Sequence, residues 1–491
     1  MAGVLGVASL LRFWQLAAMG FNSDEAVYTG TAASIAGNET LRSMFPVFRA
    51  HPLLLQLLLS VQLHDHVSDW GARAVTAGIG IITVLLTYLL GRKLYGPWAG
   101  LIAALLLAVM PYHVLVSRQV LLDGLMTLLA TLVLYCVIRY SETGSASWML
   151  AVGATMGATV LAKETSIILV GGLYAFFTLT PSIRIRLAHV LAGAAVMACV
   201  VLAFPLSLSL AGRSSTGQHY LLWQLFRRAN HGTLFYARVV PPAIGWLVLA
   251  LALVGLAWLR SENTWRERLL LCWVAVPIVF FTLWPVKGYQ YLLPVAPVAA
   301  LLAGRTIARL GTTQVLANRR RLAAAAVGAL AAVTALSLVT STWSKINPRP
   351  DASFLAGTGG VPGGREAGAW LRNNVPADAQ ILAIGPSMAN ILEFYGYRRT
   401  FALSVSPSPT NRNPAYVPVP NPDLALRQGR FQYLVWDVYS ATRSPAFAKK
   451  MTQFVQRYYG VAVFTAASTS RSPAGSALPL RSVVIYQVRQ R

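Results

Sequence analysis

Two adjacent carboxylates, Asp24 and Glu25, follow Ser23, a residue type that caps helix starts, so both fall in the first turn of a helix running to about Ala36. They either offset the helix dipole or do chemistry there, one as a general base at a membrane surface and its neighbour positioning a substrate hydroxyl or amine. A helix start lowers a carboxylate pKa, which weakens a base; desolvation under a bound lipid acts the other way. A second acid, Asp123, closes the stretch Ser117-Arg118-Gln119-Val120-Leu121-Leu122-Asp123 just inside an apolar run, where an ionisable group is costly and usually functional. Arg118 is near enough in sequence to pair with it, so a structural ion pair is the competing reading. Lys163 and Glu164 sit between two apolar runs with almost no loop, and both suit the dipoles of the flanking helices as well as they suit a site. Lys287, with Tyr289 and Tyr291 beside it, is either an interfacial anchor or a point-charge clamp for a phosphate. The same choice holds for Arg227 and Arg228. His51, ahead of Pro52, begins another apolar run, and a lone histidine there is more often structural than catalytic.

The elements that must position these residues are membrane helices. Of 491 residues, 56% are hydrophobic and only 12% charged, about half the charged share of a soluble protein. The apolar residues arrive in blocks of about 16–22, the length that crosses roughly 30 Å of hydrocarbon, without the period-2 alternation of a β-barrel. Eleven spans are expected, at 2–20, 73–91, 97–115, 120–138, 147–162, 165–181, 187–208, 241–259, 268–285, 290–304 and 322–341. Residues 1–20 lack a basic n-region and a clear cleavage site, and so read as a first span rather than a signal peptide. Long loops at 21–72 and 209–240 interrupt the series.

With the N-terminus in the cytoplasm, the inward short loops hold thirteen basic residues: Arg92, Lys93, Arg139, Arg184, Arg186, Arg260, Arg266, Arg268, Arg305, Arg309, Arg319, Arg320 and Arg321. The outward short loops hold only Arg118, Lys163 and Lys287. That bias fits the positive-inside rule and explains the net charge of +25 better than nucleic-acid binding, which needs a basic soluble face. Acidic residues segregate oppositely. Asp24, Glu25, Glu39, Asp65, Asp69, Asp123 and Glu164 face outward, against Glu142, Glu262 and Glu267 inward. Carboxylates contribute little to topology, so an outward-facing active site is the simpler cause. Cys136, Cys199 and Cys272 all lie in apolar blocks, without metal-ligand spacing.

Beyond a linker at 342–364, residues 365–491 read as a small extracytoplasmic α/β domain. Helices are expected at 365–374, 387–395 and 445–459, with strands at 380–384, 432–436, 461–465 and 482–488. The Pro-, Asn- and Ser-rich stretch 405–422 reads as a long loop, and no catalytic motif is evident in this region.

Over residues 10–305 the chain resembles the GT-C glycosyltransferases, the group of protein O-mannosyltransferases and aminoarabinose transferases. The resemblance rests on Asp24-Glu25-Ala26-Val27-Tyr28, His51-Pro52-Leu53-Leu54, Ser117-Arg118 with Leu122-Asp123, Leu161-Ala162-Lys163-Glu164, and Lys287-Gly288-Tyr289-Gln290-Tyr291-Leu292-Leu293-Pro294. It implies inverting transfer of a sugar from a polyprenyl-phosphate donor to an extracytoplasmic lipid, glycan or protein acceptor. Asp24 is then the base with Glu25 beside it, Asp123 the second acidic position, and Arg118, Lys163, Lys287 or Arg227 and Arg228 the stabilisers of the leaving phosphate. Asp24 and Asp123 could share a divalent cation, though no His/carboxylate set accompanies them. The main rival is a transporter or lipid flippase, which would place ionisable groups nearer a span centre; a non-catalytic scaffold would leave the outward acids unexplained.

Overall fold

The computed structural model describes residues 1–49, 51–63, 67–257, 265–310, 320–347, 361–471 and 477–489. Of the residues weighed for topology, Asp65, Arg260, Glu262 and Arg319 lie outside them, as does most of the linker.

Apolar helices overlap the expected spans, but fewer of them are long enough to cross a membrane than the eleven expected. Among the described residues, four helices are long and apolar enough to cross a membrane: Asp69–Tyr95, Leu122–Thr143, Leu187–Leu210 and Arg321–Ile346. The count becomes six if two bent pairs each cross once, and three shorter apolar helices accompany them. The chain is a multi-pass membrane protein. The first pair, Pro97–Val109 with Pro111–Ser117, bends by 59° where Pro111 removes a backbone donor. The second, Phe235–Ile244 with Trp246–Leu256, bends by 97° at Gly245, whose φ of +101° suits only a glycine. The expected first span at 2–20 is shorter than the sequence suggests, its helix ending at Phe13.

Helices Ala146–Ala162 and Leu187–Leu210 touch backbone to backbone at Gly153 and Gly193. A Cβ on Gly153 would lie 2.0 Å from the Gly193 carbonyl oxygen, so only small residues permit this crossing.

The C-terminal residues build one five-stranded sheet: β1 (Ile381–Ala383), β2 (Thr400–Ala402), β3 (Tyr433–Asp437), β4 (Val461–Arg471) and β5 (Ala477–Gln487), in the order β2-β1-β3-β5-β4. β1 runs parallel to β2 and β3, while β5 is antiparallel to β3 and β4. This α/β unit is docked tightly on the first loop. Tyr395 donates to Asp69 at 2.7 Å and accepts from the Phe21 amide at 2.7 Å, and Arg365 reaches the Ala17 carbonyl at 2.9 Å. Phe394 packs tilted against Phe21, ring centres 5.1 Å apart.

Candidate active site

Helix Ser23–Ile35 presents Asp24, but its cap is Asn22 rather than Ser23. The Asn22 side-chain oxygen Oδ1 accepts from the Asp24 and Glu25 backbone amides, and the Glu25 carboxylate accepts in turn from the Asn22 backbone amide. Glu25 is fully buried and spent elsewhere too. It accepts two bonds of 2.7 Å from Arg73 and one of 3.1 Å from the Val120 amide. Arg73 continues to the Leu16, Met19 and Gly20 carbonyls. Glu25, expected beside the base, is therefore a structural clamp that ties the first loop to the segment before Asp123, and its carboxylate has no face left for substrate.

Asp24 is different. It lines a cavity of about 70 Å³ with Tyr28, His51, Gln56, Arg49 and Tyr416. Burial pushes its carboxyl above the ordinary range, against the pull of His51, Lys163 and Arg227, while the Asp123 charge pushes it further up. These four residues are therefore within electrostatic reach of Asp24, from four separate stretches of chain.

Asp123 pairs with Lys163, whose ammonium stands 2.6 Å from Oδ1 and 4.1 Å from the centre of the Tyr291 ring. Arg118, expected as the partner of Asp123, instead donates to the Leu11 and Arg12 carbonyls at 2.9 and 3.0 Å. A helix end holds it instead, because the last carbonyls of Ala2–Phe13 have no partner within the helix and need donors. Glu164 faces His51, whose Nδ1 lies 3.1 Å from both carboxylate oxygens. The Tyr220 hydroxyl joins them, 3.1 Å from the imidazole and 3.3 Å from Glu164.

Arg227 stacks over Trp223 at 4.4 Å and bonds Gln224, leaving its guanidinium on the wall of a second cavity of about 600 Å³. Arg228 and Lys450 line the same cavity. Lys287 belongs to neither group: its ammonium is buried and donates at 2.7 Å to the Trp284 carbonyl, as an anchor would. Tyr289 packs edge-on against Tyr112 and takes a bond from that hydroxyl on its own carbonyl. Among the described residues, no group of three His, Cys, Asp or Glu converges as metal ligands, and Asp123 Oδ1 is held by the Lys163 ammonium.

Of the residues singled out in the sequence, the structure clusters Asp24, His51, Asp123, Lys163, Glu164 and Tyr291, with Arg227 reaching Asp24 electrostatically from the second cavity. Gln56, Tyr220 and Tyr416, not singled out there, join the cluster, as does Tyr28, which its i, i+4 spacing from Asp24 could have pointed to.

The solved structure of ArnT from Cupriavidus metallidurans bound to undecaprenyl phosphate superposes with a TM-score of 0.72 at 14% identity, over 99% of this chain and 97% of that one. The chain has the GT-C fold. The oligosaccharyltransferase AglB from Archaeoglobus fulgidus, in complex with an inhibitory peptide and a dolichol-phosphate, gives 0.62 at 15% identity, over 98% of this chain and 74% of that one. Residues 50–207 of this GT-C chain match the family described as dolichyl-phosphate-mannose-protein mannosyltransferase. The undecaprenyl phosphate-α-4-amino-4-deoxy-L-arabinose arabinosyl transferase of Erwinia tasmaniensis is 31% identical over 164 residues, 31% of this chain. That alignment spans only 29% of the Erwinia protein's length.

Proposed function

We propose that this protein is a membrane glycosyltransferase that moves a sugar from a polyprenyl-phosphate donor to an extracytoplasmic acceptor with inversion. The observation that carries the reading is Asp24: a carboxyl raised by burial, at a cavity, beside the Asp123–Lys163 and His51–Glu164–Tyr220 pairs. In the proposed step Asp24 takes the proton from the acceptor group. The acceptor atom bonds the anomeric carbon from one side while the carbon–oxygen bond to the donor phosphate breaks on the other. The electron pair departs on the polyprenyl phosphate, where Arg227, Arg228 and Lys163 offer positive charge. Electrostatic stabilisation of that leaving group is the larger contribution, because proton removal by a general base typically supplies about 10²–10⁴-fold.

The lipid donor is supported by topology as well as by the named relatives. Sugar nucleotides are made in the cytoplasm, and an outward site needs a sugar carried across the bilayer. The positive-inside bias supports a cytoplasmic N-terminus, about eleven crossings, an inner-membrane location, and an α/β unit of about residues 365–491 outside. Purified protein incubated with polyprenyl-phosphate pentoses and hexoses should release or transfer the sugar. A preparation that leaves every such donor intact would remove the assignment.

A further inference from the structure

The cavity at Asp24 is built by both halves of the molecule. Tyr28, His51 and Gln56 come from the first loop region, whereas Asn413 and Tyr416 come from the long segment that follows β2 in the α/β unit. Tyr416 is held over the cavity by two partners. The Arg49 guanidinium lies 5.6 Å from its ring centre, and Asn390 donates to its hydroxyl at 3.3 Å. The Asn390 amide also donates to Ser23, the residue next to Asp24, at 3.0 Å, and its oxygen accepts from Arg49 at 3.0 Å. Asn413 shapes the segment itself, accepting from the Ala415 amide.

Hydroxyls and an amide from Tyr28, Thr31, Tyr416 and Asn413 line this cavity, and two of its other groups call for a donor. Asp24 offers a carboxylate. Gln56 Oε1 is buried with no partner among the described residues, on a side chain only 3% exposed, and a buried acceptor of this kind requires an O–H or N–H donor. Arg49 on the wall is already committed to Asn390, the Met44 carbonyl and the Phe45 and Tyr416 rings, and His51 to Glu164. A phosphate brings acceptor oxygens and negative charge, which the Asp24 carboxylate repels and which leave Gln56 Oε1 without a donor. Two hydroxyls on neighbouring carbons bring two donors. At about 70 Å³ the cavity holds several water-sized groups, enough for one end of a sugar ring.

The geometry points to an acceptor subsite shared between the two halves, in which Gln56 and Tyr416 flank Asp24 and select an uncharged, hydroxyl-bearing acceptor over a phosphate-bearing one. One hydroxyl gives its proton to Asp24 as its oxygen bonds the anomeric carbon; the neighbouring hydroxyl donates to Gln56. This rests on the transferase reading above. The α/β unit is then a wall of the active site rather than an appended module.

The test uses full-length protein in detergent with a radiolabelled polyprenyl-phosphate sugar that it consumes, and two probes, octyl glucoside and an alkyl phosphate. Transfer to the glycoside and none to the phosphate is the result expected. Gln56→Leu, Tyr416→Ala and Tyr416→Phe should each raise KM for the glycoside by about tenfold or less, in the order expected from one lost hydrogen bond or one lost wall, with donor KM unchanged. Tyr416→Phe keeps the ring against Arg49, so it controls for loss of folding. Transfer to the phosphate, transfer to neither probe while donor is hydrolysed, or equal shifts in both KM values would overturn the subsite while leaving the transferase standing. Donor left intact under every condition would take both down.

Discussion

Lys163 places its ammonium 2.6 Å from Asp123 Oδ1, and both side chains are almost completely buried. Removing one partner leaves the other as an unpaired buried charge, which costs about 3–5 kcal/mol. Lys163→Met should therefore lower thermal stability markedly, and Asp123→Asn together with Lys163→Met should recover most of it. Neither variant should regain sugar transfer, because the positive charge facing the leaving phosphate is gone in both. Melting curves and donor-consumption assays on the same preparations check the two halves; a double variant with full activity would assign the pair to structure alone.

Glu25 and Asp24 are neighbours with opposite fates. Glu25→Gln breaks the buried pair with Arg73, whose side chains are 0% and 2% exposed, and should cost about 3–5 kcal/mol of stability. Asp24→Asn should leave the melting temperature near wild type and abolish transfer. If instead Glu25→Gln folds normally and Asp24→Asn unfolds, the division of labour drawn here is reversed.

The contrast between these two acids shows what was legible in the sequence and what was not. Apolar blocks announce membrane helices through composition, so the helical, multi-pass character was legible although the number of crossings was not. The longer elements of the α/β unit followed from periodicity, whereas β2 (Thr400–Ala402) and the six-residue helices Pro422–Arg427 and Val438–Arg443 carry too short a pattern to read. Residue roles followed less well. Glu25 finds Arg73 48 residues away, and Asp123 finds Lys163 rather than the nearby Arg118. Pairing in a buried site is settled by which helices cross, and no local spacing encodes that. Tyr416 sits in a Pro-, Asn- and Ser-rich loop that carried no motif, yet it lines the same cavity as Asp24.

Activity should depend on pH through Asp24. Its carboxyl titrates above the ordinary range because burial disfavours the charge, and a general base works only when deprotonated. The rate of transfer to a hydroxyl acceptor should therefore rise with pH, with its acid-side midpoint above about 4, the usual aspartate value. A pH–rate profile of kcat/KM on the glycoside, flat from pH 4 upward, would exclude Asp24 as the proton acceptor.

Glu393 gives the docking face a pH dependence of opposite sign. It lies in helix Pro386–Gly396 of the α/β unit, lines a cavity with Arg49 and Tyr416, and accepts from the Thr400 amide. Burial pushes its carboxyl up to about 7 from an ordinary 4.5, although Arg49 pulls it down. Between those values the unfolded chain has lost the proton and the folded chain has kept it, so the folded state binds more protons and its stability falls as pH rises. The full difference is on the order of 3 kcal/mol, reached once the pH passes about 7. Glu393→Gln keeps the shape, removes the titration, and should make the variant more heat-resistant than wild type at pH 8 while leaving the two alike near pH 4.5. Melting temperatures across that range check it; parallel curves for the two proteins would mean that Glu393 is already ionised where it sits. Because the same helix carries Asn390, which bonds Ser23 beside Asp24, loosening at high pH should also reach the catalytic cavity. KM for the acceptor should then climb above pH 7 in wild type and stay level in Glu393→Gln.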